Sequence, residues 1–326
     1  MDKKEVCLAI LFNHKFDKNL EKLDRIYSGR FRDVRYIVPF YEGSRKDVIP
    51  VYENSWEFEG YIAQAARSLE DEKYSHYIFI ADDLILNPRL NSSNILSELG
   101  IGESTAYIKE LTALSEMSFG WLPLLRTLRL LDGFESPNLR KKHLEERSPQ
   151  LELRKGVKAV QELPDSETAA AIFAEKRLTM KEISAKNLRG LRGEYLYDNV
   201  IQSTLFLTWK KIKGGFFLKY PLAASYSDFI IVPSSSFRKF CHYLGVFAAI
   251  GVFAEIAIPT SLILACGKIV SQRDLDWKGT ELWGQDEING FSEKNGHSLK
   301  TLYGSFGEKQ LYVHPVKLSK WDIEGI

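Results

Sequence analysis

Two rhythms of apolar residues alternate along the first ninety positions. Short unbroken apolar runs at 6–12 (VCLAILF), 34–41 (VRYIVPFY), 48–53 (VIPVYE) and the start of HYIFIADDLILNP, residues 76–88, read as strands. Runs of this kind, bounded by polar residues, suit strands covered on both faces. Between them, Phe16, Leu20, Leu23, Ile26 and Tyr27 recur at helical spacing over 16–28. Phe58, Ile62, Ala65, Ala66 and Leu69 do the same over 57–70, the pattern of helices with one buried face. Strand and helix in alternation predict an α/β fold with a mainly parallel sheet flanked by helices. In such sheets ligands bind outside the carboxyl ends of the strands.

The texture changes after about residue 115. Between Pro137 and Arg192 there are 13 Lys and Arg against 8 Asp and Glu, five positive charges in excess. Ala170, Ile172, Phe173, Leu178 and Ile183 keep helical spacing there, and LPDSET carries an N-cap signal. This region reads as a basic helical insertion, either a solvated helical face or a docking surface for anions. Strand character returns after 215, SDFIIVP reads as a strand, and Ser234–Ser236 open a helix. A polar, glycine-rich stretch (284–309) precedes a strand-like run at 309–321, KQLYVHPVKLSKW. The expected divisions are 1–114, an α/β half; 115–195, the insertion; and 196–326, the half that completes the fold.

Glu255 is the only charged residue between Lys239 and Lys268, a run long enough to cross a bilayer. A central acid, Pro259 and glycines at 245 and 251 argue instead for buried core in two elements broken around Gly251. The N-terminus lacks the length and cleavage site of a signal peptide, and Cys7, Cys241 and Cys266 are too few for a disulfide framework. Cytoplasmic location is the resulting expectation. With 44 basic against 43 acidic residues, the chain lacks the excess of a nucleic-acid binder.

Three features can carry chemistry. Asp82 and Asp83 follow a strand, so they either cap a turn or hold a hard cation that clamps a diphosphate. His314 ends a strand-like run with Lys317 three residues on. It is either packed or a neutral metal ligand, with Lys317 a point charge for phosphate. Glu255, among apolar residues, is either a structural acid or a general base.

The order of these features resembles the nucleotide-sugar glycosyltransferases of the GT-A type. These have a Rossmann-like half, a D-x-D motif at a strand end, an acid at the start of a later helix, and a C-terminal metal-binding histidine. The resemblance covers about 6–110 and 215–321. It implies Asp83 and His314 as ligands of Mn²⁺ or Mg²⁺, Asp82 as the motif's middle residue, and Lys317 beside the diphosphate. It places Asn13, His14 and Tyr41 near the base and ribose, and makes Glu255 the base toward the acceptor hydroxyl if the reaction inverts. The implied partners are a nucleoside diphosphate sugar and a glycan or lipid-linked acceptor. The basic insertion would touch the inner face of a membrane, in the synthesis of cell-surface polysaccharide. A nucleotidyltransferase, or a non-catalytic nucleotide-sugar-binding protein, remains the alternative.

Overall fold

The structure is a computed structural model that describes residues 5–54, 57–117, 159–181, 218 and 220–326. The four early apolar runs become β1 (Glu5–Leu11), β2 (Asp33–Pro39), β3 (Val48–Val51) and β4 (Tyr74–Ala81). The two helical patterns become α1 (Asn19–Tyr27) and α2 (Phe58–Leu69). Strand β1 shows why the run is continuous: Val6, Leu8 and Ile10 enter the main core, while Cys7 and Ala9, on the opposite face, are equally buried. Leu20, Leu23, Ile26 and Tyr27 of α1 belong to that same core, each burial contributing about 1.5–3 kcal/mol.

Three further strands complete a mixed sheet: β6 (Thr105–Ile108), β9 (Phe229–Pro233) and β10 (Lys268–Val270). The order across its seven strands is β10-β6-β9-β4-β1-β2-β3. All neighbours are parallel except β9, which runs antiparallel to both β4 and β6. From β1 the chain steps outward through β2 and β3, then returns to place β4 on the other side of β1. The strand order therefore reverses between β1 and β4, where a crevice opens in sheets of this kind. The carboxyl ends of β1 and β4 are the segments Phe12–His14 and Asp82–Asp83.

A smaller sheet stands beside this edge. In it β11 (Lys278–Glu281) pairs parallel with β12 (Gln310–His314), and β12 pairs antiparallel with β5 (Ile85–Leu86). The second half of DDLILNP is thus the strand that brings β12, and His314 at its end, to the acids. Asn87 locks the pairing. Its amide donates to Gln310 O at 2.7 Å and Gly307 O at 3.2 Å, its side-chain oxygen accepts from Arg89 N at 3.0 Å, and its backbone N–H donates to Leu311 O at 2.9 Å.

The chain divides into two compact units. One comprises Met1–Glu110, Tyr226–Cys241 and Ala265–Ile326, the other Leu111–Ser225 and His242–Leu264. All strands of the two sheets above belong to the first. Of the expected insertion, 118–158 and 182–195 lie outside the described residues. Within it α4 (Ser166–Glu175), numbered after the short α3 (Ile95–Glu98), starts where LPDSET predicts, with Asp165 accepting from Thr168 N at 2.8 Å.

The long apolar run is two helices, α5 (Ser234–Ile250) and α6 (Ala254–Ala265). Gly251, at φ 72°, closes the first: Val252 N donates to Phe247 O and Gly251 N to Ala248 O, the paired bonds of a Schellman cap. Pro259 lies inside α6 and cannot donate to the carbonyl of Glu255 four residues back. Ser225 N fills that vacancy at 3.0 Å. Thr260 adds a second tie, its hydroxyl accepting from Ala223 N at 3.1 Å. The short pair β7 (Thr112–Ala113) and β8 (Ala223–Ala224) lies in this same unit. Among the described residues no helix is long and apolar enough to cross a membrane.

The polar, glycine-rich stretch 284–309 is largely helical. It holds α7 (Gln285–Lys294) and α8 (Leu299–Ser305). Their apolar contacts are sparse, chiefly Ile288, Phe291, Leu299 and Leu302, too few to give a periodic signal.

Replacing Asn87 by Ala should cost about 3 kcal/mol, because it removes three side-chain hydrogen bonds worth roughly 1 kcal/mol each. An unfolding free energy from urea denaturation lowered by under a fifth of that amount would show that β5 and β12 hold register without the amide.

Candidate functional site

The two adjacent acids have different surroundings. Asp82 N donates to Leu11 O at 2.9 Å, which extends the β1–β4 ladder by one bond. A turn follows, with Leu84 N donating to Ala81 O at 3.1 Å, and Val316 N donates to Asp83 O at 2.6 Å. From α1, Tyr27 Oη donates to Leu84 O at 2.9 Å and accepts from Leu86 N at 3.2 Å. The turn is therefore held from β1, α1 and the segment after β12 together.

Asp82 is buried at the carboxyl ends of β1 and β4, where Asn13 N donates to its Oδ1 at 3.2 Å and the Asn19 amide also bonds it. Burial first, and then the charge of Asp83, push its carboxyl up to about 7, against the pull of these hydrogen bonds. Asp83 turns the other way and is more open: its Oδ1 lies 2.8 Å from His314 Nε2, with side-chain exposures of 29% and 15%. Position 81, where a full D-x-D motif has its first acid, is a buried Ala at the last residue of β4.

Behind His314 stands Tyr226, whose hydroxyl meets His314 Nδ1 and bonds the Asp228 carboxylate. The Tyr226 hydroxyl thus links His314 Nδ1 to Asp228, while Nε2 on the other side of the ring faces Asp83. Burial, the largest influence, pulls the imidazole's pKa down, but the hydrogen bond and charge of Asp83, then Asp228 and Glu281, outweigh it, so the net shift is upward. Asp228 is raised by desolvation, lowered by His314 and raised by Asp83. Desolvation, then Asp228, Glu281 and Asp83, raise the Tyr226 hydroxyl far above its ordinary range.

Glu281, at the end of β11, closes the group. It accepts from Tyr312 Oη at 2.5 Å and pairs with Lys109 Nζ at 2.8 Å, both partners largely buried. Lys109, just past β6, also lies 4.8 Å from the centre of the Tyr226 ring.

The structure thus brings Asp82, Asp83, Asn13 and His314 to one edge. His14 is exposed beside Asn13. Tyr41 folds onto its own loop: Arg45 N donates to its hydroxyl at 3.4 Å, and its ring covers Gly43 so closely that a Cβ there would lie 2.2 Å from the phenol oxygen. Lys317 is exposed just after the cis His314–Pro315 bond. Glu255 is half-buried in the first turn of α6, in the second unit. Sequence reasoning missed Tyr226, Asp228, Glu281 and Lys109. SYSDFIIVP contains two of them, but nothing local says that its strand runs antiparallel and so presents its start, not its end, to the acids.

Among the described residues no group of three or more His, Cys, Asp or Glu is placed to hold a metal ion. The pair Asp83 and His314 nonetheless suits two neighbouring positions of an octahedral shell. Ligand bonds of 2.0–2.1 Å place adjacent donors about 2.9 Å apart, close to the 2.8 Å observed. Comparisons with family models, curated proteins and solved structures gave no significant match.

Because Asp82 has a higher pKa folded than the ordinary 3.8, the native chain binds more protons than the unfolded chain between about pH 4 and 7. Stability from this group should therefore fall as pH rises through that window, by at most about 1.4 kcal/mol per pH unit. Asp82→Asn should flatten the fall when denaturation is followed across pH with a chelator present. Parallel curves for the two proteins would show that Asp82 ionises normally.

Proposed function

We propose that the protein is a glycosyltransferase that uses a nucleoside diphosphate sugar, with a GT-A type architecture. The observation that carries the reading is the meeting of Asp83 and His314, 231 positions apart in sequence, beside the crevice where the strand order reverses. The parallel run β3-β2-β1-β4 supports it, since nucleotides favour the carboxyl edge at such a point. On this reading Asn13 and His14 lie by the nucleoside, with Tyr41 at the end of β2. Asp83 and His314 would hold Mn²⁺ or Mg²⁺, hard cations that favour oxygen ligands. Bound there, the cation would stabilise the charge that develops on the leaving diphosphate.

The chain's own residues do the rest. Tyr226 orients the His314 ring through Nδ1, the role of outer-shell partners at metal sites. Asp82 holds the loop after β1 through Asn13 N, and Lys317 offers a positive charge to phosphate. Glu255 takes the proton of an acceptor hydroxyl or positions that acceptor. The acceptor is a glycan or a lipid-linked glycan, and the basic composition of 115–195 would suit contact with an anionic membrane. The nucleotidyltransferase alternative ranks lower: residues 12–18, between β1 and α1, contain no glycine to cradle a triphosphate.

One panel of measurements separates these readings. Thermal stability should rise with one class of UDP-, GDP-, CDP- or ADP-sugar, by about 2.7 kcal/mol at roughly a hundredfold excess over Kd, and more with Mn²⁺ present. Asp83→Ala and His314→Ala should each abolish the metal-dependent part, and Glu255→Gln should leave donor binding intact. No response to any nucleotide sugar would sink the transferase. A response to free nucleoside triphosphates alone would favour nucleotidyl transfer.

A further inference from the structure

Trp283 is the most exposed large apolar side chain among the described residues, 68% open to solvent. It follows β11 by two residues, and its main chain is fixed on every side. Leu282 N donates to His314 O at 2.8 Å, Trp283 N donates to Glu287 Oε2 at 2.6 Å, and Gly284 turns the chain at φ 86°. That last conformation is open to glycine and strained for other residues. The indole itself touches one ring, Tyr226, edge to face with centroids 5.8 Å apart. Tyr226 in turn stands 5.8 Å, centroid to centroid, from His314. The indole is therefore two ring contacts from the imidazole that binds Asp83, and a rigid backbone holds an open aromatic face there.

Packing does not account for this residue. A tryptophan this exposed contributes little to the core, and the hydrogen bonds that fix it are made by backbone groups that any residue supplies. What the arrangement provides is an electron-rich flat surface beside carboxylates. A pyranose ring matches it. One face of a pyranose carries C–H groups made slightly positive by the ring oxygens, which suits the negative face of an aromatic ring. Its hydroxyls need polar partners, and the Asp83 carboxylate, bonded to His314, is partly open. A nucleobase would stack as well, but the nucleoside end of the crevice, at Asn13 and His14, follows β1 and is separated from β11 by the acids.

We propose that Trp283 is a stacking platform for a pyranose ring of the donor or the acceptor at the Asp83–His314 site. The choice of sugar as ligand rests on the transferase reading, but the platform is tested separately from it. The six tryptophans can be labelled as 5-fluorotryptophan and followed by fluorine NMR, with the Trp283 signal assigned through Trp283→Phe. The probes are nucleoside diphosphates without sugar, the matching nucleotide sugars, and methyl glycosides of glucose, galactose, mannose and N-acetylglucosamine. Sugar-bearing probes should move the Trp283 signal, and sugar-free diphosphates should not. A response to nucleotide sugars alone assigns the donor ring, and a response to methyl glycosides assigns the acceptor ring. Trp283→Ala should weaken the responding sugar about tenfold, the size of one aromatic contact, with Trp283→Phe keeping part of the affinity. If nucleotide sugars bind and the Trp283 signal stays still with every sugar-bearing probe, the platform is overturned and the transferase reading stands. If no nucleotide binds, that reading falls, and the methyl glycosides alone decide the platform: a moved signal supports it, a still one overturns it.

Discussion

The accumulation of negative charge at one edge of the sheet is the constraint on which the site depends. Asp82 and Asp83 come from the end of β4, Asp228 from the approach to β9 and Glu281 from the end of β11. Like charges this near cannot all ionise without compensation. Each acid finds a different solution. Asp82 is buried and pushed toward its neutral form, Asp83 takes the His314 ring, Asp228 takes the Tyr226 hydroxyl, and Glu281 takes Lys109 and Tyr312. A fold optimised for stability alone would not gather these groups, and perturbed ionisation of this kind concentrates where proteins bind and react.

The surrounding scaffold is built to keep that edge fixed. The segment DDLILNP leaves β4, makes the turn of the acids and then supplies β5, so it ties the two sheets together at the site. Tyr27 of α1 and the backbone of Val316, just past β12, donate to it, and its own Asn87 donates to Gln310 O on β12. Lys22, also on α1, donates to the carbonyls of Leu318 and Trp321 at 2.6 and 3.0 Å, so the chain just past His314 is tied to the helix that also holds the acids' turn. A side chain whose backbone is fixed from several directions loses little freedom when it engages a ligand.

Much of this edge was legible in the sequence, and the part that was not has a physical reason. The first four strands and two helices are local objects, because period and burial are written in neighbouring residues. The same holds for the break at Gly251, which needs only a glycine between two apolar runs. Asp83 and His314 were found as types of residue at strand ends. Their meeting was expected only through the resemblance, as shared metal ligands; no local pattern could show it, since it depends on β12 pairing with a two-residue strand far upstream. Tyr226, Asp228, Glu281 and Lys109 were missed for a related reason. Strands β6, β10 and β11 are three or four residues long, too short for a period to show, and the antiparallel course of β9 is set by its neighbours. Glu255 stood out among apolar residues, yet its carbonyl, freed by Pro259 and bonded to Ser225, is what most clearly ties it into the fold.

The charge balance also bears on what the site can accept. Glu281 is already paired with Lys109, and His314 faces Asp83, so among the described residues no cation at the centre is left over for an incoming anion. Lys317 is exposed beyond it, at the rim. An edge of this kind attracts cations and repels a free diphosphate. A nucleoside diphosphate sugar is therefore a poor ligand for the bare site and a good one only once further positive charge is present. His314 is the point where the two conditions compete, because Nε2 can hold a proton or a metal ion but not both. On the transferase reading, donor affinity and proton binding at His314 must oppose each other whenever metal is required. Where donor affinity ignores both metal and His314, the diphosphate must lie elsewhere, on the side of Asn13 and the loop after β1.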